Sequence, residues 1–202
     1  MYPFVETIRI EQGRPHHLMY HQQRLAATMA RFFPGATVPV LADALSPCDC
    51  PADKTWKVHV EYDGTGILLV RTEEYHIRTI RSLRLVCCND ISYAYKSADR
   101  RRLTALAALR GDTDEVVIVR NGLLTDTSYS NIALFDGQRW VTPRQPLLRG
   151  TMRQSLLDTG QLLERDIRCD EWGCYEKVSL INAMMPLGRC VCEVTPTLFV
   201  VL

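Results

Sequence analysis

The chain has 202 residues, 47% of them hydrophobic and 23% charged, with a formal net charge of +1. That length suits one domain of ordinary size or two small ones, and the balanced charge gives no electrostatic case for nucleic acid or an anionic membrane as partner. The longest apolar runs, residues 66–70 and 198–202, are far shorter than a membrane span, and the start lacks a basic segment followed by an apolar one, so the expected location is the cytoplasm.

Phe4 to Ile10 alternates as a strand, with Thr7 and Arg9 on one face and Glu6, Ile8 and Ile10 on the other. Residues 11–15 form its turn. A helix is predicted over 16–33, carrying Leu18, Leu25, Met29 and Phe32 on one stripe and ended by Pro34-Gly35. The stretch to Ala52 is rich in Pro, Ala and Cys and reads as partly helical at best. Lys54 to Tyr62 alternates again, Asp63 to Gly66 is a hairpin turn, and Ile67 to Arg71 returns. Arg84 to Cys88 is a further strand.

The second half begins with a helix over 98–110, closed by Gly111. Glu115 to Arg120 is a strand, and Asn121-Gly122 is the strongest short hairpin signal in the chain. Leu123 to Thr125, Ser130 to Phe135 and Arg139 to Thr142 follow as short strands. A Pro-rich loop then delivers a helix over 151–159, stopped by Gly160, and Val178 to Ile181 plus two strands after Gly188 complete the chain. The expected organisation is a small αβ domain over 1–88 and a β-rich domain over 89–202 that carries Lys96. The eight cysteines include no Cys-x-x-Cys pair and no histidine pair at ligand spacing, so buried small hydrophobes or free thiols are expected rather than a metal site.

Several residues carry possible chemistry. Lys96, after an aromatic strand-like run and before a helix, is either a solvated charge or a partly desolvated amine able to attack a carbonyl. Gly150-Thr151-Met152-Arg153 opens a helix whose first amides suit a phosphate, or it is a simple N-cap. Asp126 is either a turn residue binding its own backbone or a buried carboxylate for a protonated ring nitrogen, with Asn131 buttressing the turn. Arg24, one helical turn after His21, is a solvated charge or a phosphate clamp. Taken together these are the parts of a pyridoxal-phosphate site.

Read in order, Phe4-Val5-Glu6-Thr7-Ile8-Arg9, His21-Gln22-Gln23-Arg24-Leu25, Lys96 through Arg100, Thr125 through Asn131, Val141-Thr142-Pro143, Gly150 through Arg153 and Leu180-Ile181-Asn182-Ala183 resemble the class IV aminotransferases. That group contains branched-chain and D-amino acid aminotransferases and 4-amino-4-deoxychorismate lyase. The resemblance implies an α+β fold of the D-amino acid aminotransferase type (pyridoxal-phosphate fold type IV), with a small αβ layer followed by a barrel-like half, and a homodimer. It implies pyridoxal 5'-phosphate as cofactor and Lys96 as the Schiff-base lysine that also moves the substrate proton. By the same resemblance Arg24, the amides of Thr151 and Met152 and the Asn182-Ala183 turn would hold the phosphate. Asp126 would face the pyridine nitrogen, and Thr7 and Arg9 would line the side of a small amino substrate.

Two departures accompany it. Asp126 stands where the family usually has glutamate, one methylene longer. The sequence also begins almost on the Phe-Val-Glu-Thr motif, ahead of which members usually carry a segment that builds the active-site wall and dimer contact. Thr7, Arg100 and Asn182 lean toward the lyase branch. Transamination of branched-chain or D-amino acids and cofactor binding without turnover stay open beside it, as does metal binding by a Cys-rich domain.

Overall fold

The computed structural model describes residues 3–46, 48–195 and 197–201. They form a mixed α+β fold of two compact units. The first comprises the chain up to Ile77 together with Tyr95–Asp99; the second comprises Arg78–Ala94 and the chain from Arg100 onward. The structure therefore divides the chain differently from a cut at 88/89. Residues 78–88 go with the second unit, and Lys96 goes with the first.

In the first unit, β1 (Phe4–Glu11) is followed by a two-residue strand β2 (Arg14–Pro15), helix α1 (Leu18–Phe32), the short helix α2 (Leu41–Leu45), and the strands β3 (Thr55–Asp63) and β4 (Gly66–Glu74). The sheet order is β2-β1-β3-β4, antiparallel throughout, with Glu6 opposite Val60 and Thr7 opposite His59. Period-two alternation sends Phe4, Ile8 and Ile10 of β1 and Val58, Val60 and Tyr62 of β3 to one face. Leu25 and Met29 of α1 cover that face, and Leu41 and Leu45 of α2 join them. Each of these buried side chains contributes roughly 1.5–3 kcal/mol relative to exposure.

Tyr95–Asp99 completes this unit by pairing with the start of β1. The Val5 amide donates to the Lys96 carbonyl and the Ala98 amide to the Pro3 carbonyl, both at 2.8 Å. The Tyr95 ring stands edge-on to Phe32, with centroids 4.7 Å apart. The helix expected from residue 98 starts later, at Arg101, because Ser97 is bridged antiparallel to Phe4 and this stretch runs along β1.

The second unit runs β5 (Leu83–Cys87), α3 (Arg101–Ala108), β6 (Glu115–Arg120), β7 (Leu123–Thr127), β8 (Asn131–Phe135), β9 (Trp140–Pro143), α4 (Thr151–Asp158), β10 (Leu162–Arg165), β11 (Lys177–Ile181), β12 (Val191–Glu193) and β13 (Phe199–Val201). Seven strands lie in the order β10-β9-β8-β7-β6-β5-β13; β11 pairs with β8, and β12 with β11. Asn121 and Gly122 both take positive φ, 52° and 77°, as the tight turn between β6 and β7 requires. Strand β10, absent from the sequence reading, pairs parallel to β9 across the α4 crossover. Its Leu-Leu-Glu-Arg pattern buries only Leu162, so no alternation announced it. All eight cysteines are free thiols.

Candidate active site

The first unit carries four of the predicted site residues, and β1 organises them. Lys96 is fixed through its backbone, because its carbonyl accepts from Val5. The next residue on the strand, Glu6, points to the core face and is fully buried. A lone carboxylate there would be costly. It is met by two donors one turn apart on α1. Arg24 Nε and Nη2 donate to Glu6 Oε1 and Oε2 at 2.8 and 2.6 Å, and His21 Nδ1 lies 2.6 Å from Oε2. Burial alone would raise the Glu6 pKa, but the charge and hydrogen bonds of Arg24, helped by His21, hold it at about 2. Burial lowers the His21 pKa, against the pull of Glu6, with Arg24 and Lys96 adding to the lowering. Since an ionised carboxylate only accepts, the neutral imidazole carries its hydrogen on Nδ1.

Thr7 and Arg9 lie on the opposite face of β1, as the alternation predicted. Thr7 is half-buried across from His59, and Arg9 is buried with Nη1 donating to Glu11 Oε2 at 2.7 Å. His59 and Lys57 are the cross-strand neighbours of this pair, two basic residues on that face that sequence reading did not single out. The sequence motifs contain Glu6 and His21 but assign them no role; the local signal for Glu6 is a charge on an otherwise apolar strand face.

The second unit carries the others. Asp126 is not in a turn: it sits within β7, paired in register with Asn131 of β8, and is buried. Asn131 Nδ2 donates to Asp126 Oδ1 and to the Leu148 carbonyl, both at 2.8 Å, while the Leu148 amide donates to Oδ2 at 2.9 Å. Burial pushes the Asp126 pKa up to about 6 in spite of these donors and the nearby Arg153 charge. A carboxylate so placed favours a cationic partner. Helix α4 starts at Thr151, with Gly150 extended before it (φ −69°, ψ 145°). No side chain caps that start and its first turn holds no acid, so its dipole favours an anion. Thr151 and Met152 are buried there. A Cβ on Gly150 would drive into Asn131 Oδ1, which couples the helix start to the Asp126 support.

Asn182 departs from the simplest expectation. Its Oδ1 accepts from the Met184 and Met185 amides at 2.8 and 3.0 Å, and its Nδ2 donates to the Tyr129 carbonyl at 3.3 Å. The side chain shapes the 182–185 turn and already takes up the Met184 and Met185 amides. Arg100 Nη2 donates to the Ser128 carbonyl at 2.7 Å and braces the turn between β7 and β8.

Pyridoxal phosphate would need an amine, a carboxylate for its ring nitrogen, and donors for its phosphate. Within the first unit, Lys96 supplies an amine and Arg24 a guanidinium; within the second, buried Asp126 with its raised pKa and the uncapped start of α4 are of the kinds that such a group calls for. Among the described residues no group of three His, Cys, Asp or Glu side chains is placed to hold a metal ion. No described helix is long and apolar enough to cross a membrane.

Residues 76–191 match the family model described as amino-transferase class IV. An uncharacterized protein of Haemophilus influenzae is 32% identical over 187 residues, 91% of this chain and 98% of its own. The crystal structure of a "putative 4-amino-4-deoxychorismate lyase" from Haemophilus somnus 129pt superposes with a TM-score of 0.88 at 31% identity, covering 93% of this chain and 98% of that one. The PLP-bound form of a hypothetical aminotransferase from Mycobacterium tuberculosis shares the fold, with a TM-score of 0.71 at 16% identity over 96% of this chain and 84% of its own.

Proposed function

Because the chain belongs to the class IV aminotransferase family, we propose that it is a pyridoxal-phosphate enzyme acting through Lys96, and that it eliminates rather than transaminates, on a substrate of the 4-amino-4-deoxychorismate kind. The observation that carries the cofactor reading is the clamp on Lys96. Its backbone is locked to β1 one residue from the Glu6 carboxylate that grips Arg24. The lean to elimination rests on the 31% identity to the Haemophilus somnus protein described as a 4-amino-4-deoxychorismate lyase, and on Thr7, Arg100 and Asn182.

When bound, the cofactor supplies the electron sink that makes the substrate Cα–H acidic. The chain's own residues do the rest. Lys96 Nζ would be the amine that attaches the cofactor and the base that accepts and returns a proton. By the family resemblance, Arg24 would serve the phosphate, as would the amides of Thr151 and Met152. The Asp126 carboxylate would favour a protonated ring nitrogen. Arg9, braced by Glu11, binds a substrate carboxylate, with Thr7 beside it on the same strand face.

Two assays test this. Purified protein should absorb near the visible edge in a band that borohydride removes, and Lys96→Ala should lose covalent attachment; a retained covalent adduct in that variant refutes the lysine assignment. Pyruvate release from aminodeoxychorismate, set against half-reactions with a panel of amino acids, then separates elimination from transamination. Turnover only in the panel would mean a transaminase. Cofactor binding with neither activity would mean a binding protein.

A further inference from the structure

We infer that Glu6 is a positioning residue for the cofactor's phosphate, acting through Arg24, with His21 as its second brace. The inference rests on the reading of Arg24 as a phosphate donor.

Glu6 is an energetic oddity. Glu6 occupies a core position of β1, in line with Phe4, Ile8 and Ile10, where an apolar side chain would complete the alternation. Burying an ion pair there is seldom better for stability than a well-packed hydrophobe. What the pair adds is orientation. Arg24 is 15% exposed and Glu6 is 0% exposed, so the arginine emerges at the surface of its unit from a buried anchor. Both Glu6 oxygens are engaged by the Nε–Nη2 edge of the guanidinium. A two-point contact on one edge fixes both the plane of that group and its rotation about the side-chain axis. His21 Nδ1 holds Oε2 from the same helix and keeps the carboxylate from turning with the arginine. The strand that supplies Glu6 also holds Lys96 by the preceding amide, so one rigid element sets the amine and the phosphate arm together.

Charge and orientation predict opposite signs. A carboxylate beside Arg24 repels a phosphate dianion, so removing only its charge would tighten binding. Removing an orienting contact weakens binding, and only for ligands that carry the phosphate. Full-length apo-protein should therefore be titrated with pyridoxal phosphate and with pyridoxal, which lacks the phosphate, in wild type, Glu6→Gln, Glu6→Asp and Arg24→Lys. Glu6→Gln keeps the shape but cannot accept from both arms of the fork. Glu6→Asp keeps the charge but withdraws it by one methylene.

We expect both Glu6 variants to raise the Kd for pyridoxal phosphate roughly tenfold while changing that for pyridoxal less than about twofold. Either variant that folds gives the answer. Should neither fold, His21→Gln is read instead, with a smaller loss in the same direction. Tighter binding of pyridoxal phosphate in Glu6→Gln overturns the inference, and so does equal weakening of both ligands, which would mark Glu6 as a residue of the fold alone. Arg24→Lys separates the two levels. If it retains the wild-type preference for the phosphorylated ligand, the Arg24 assignment itself is wrong; if it loses that preference while the Glu6 variants keep it, only the role of Glu6 falls.

Discussion

Two buried carboxylates, Glu6 and Asp126, have been moved in opposite directions, and each has a consequence in pH. Glu6, held at about 2, contributes stability that is present above its ordinary value of 4.5 and is lost as the pH falls toward 2. Asp126 runs the other way. With a folded pKa of about 6 against an ordinary 3.8, its contribution is full below pH 3.8 and lost as the pH rises to about 6. The difference is on the order of 3 kcal/mol across that window. Asp126→Asn removes this slope, so the melting temperature of the apo variant should gain on wild type as the pH is raised from 4 to 7. A gap that stays constant over that range would contradict the raised pKa. In the loaded enzyme the same substitution takes the counter-charge from the ring nitrogen and should lower kcat by roughly 100-fold, with the fold intact by circular dichroism. Near-normal turnover would reduce Asp126 to a residue of the β7–β8 pairing.

At the level of elements, the start of α4 is tied to β8 by a contact that leaves no room for a Cβ unless Asn131 moves. The Asn131 side chain, pinned by Asp126 and the Leu148 carbonyl, lies where a Cβ on residue 150 would go. Gly150→Ala should therefore cost about 1–3 kcal/mol by denaturant unfolding, as overpacking does. It should also weaken cofactor binding, and a neutral result would mean that Asn131 can swing aside. The glycine itself was legible in the sequence as a helix start, but its reason was not, because Asn131 is 19 positions away. The same division holds elsewhere. The faces of β1 and β3, helix α1 and the Asn121-Gly122 hairpin follow from local alternation, periodicity and turn chemistry. Strand β10, the placement of Asp126 within a strand, and the binding of Glu6 by His21 and Arg24 depend on partners distant in the chain. Lys96 shows both sides at once: its chemical role was suggested by its neighbours in sequence, while the unit it belongs to was decided by hydrogen bonds to Pro3 and Val5.

At the level of the whole molecule, the family resemblance implies a homodimer. Light scattering coupled to gel filtration should then report twice the 23.0 kDa chain mass, and a monomer that nonetheless binds and turns over cofactor would show that each chain is sufficient. The return of Tyr95–Asp99 to the first unit bears on how the protein is made. A nascent chain emerging from the ribosome presents β1, α1 and β3 early, yet the amide of Val5 and the carbonyl of Pro3 must wait for some ninety further residues before their partners arrive. Translation of the second unit has already begun by then, through β5. The lysine segment is thus a latch thrown late, and a translational pause or truncation before residue 95 would leave the first unit folded in outline but unfastened at the place where the chemistry is proposed to occur.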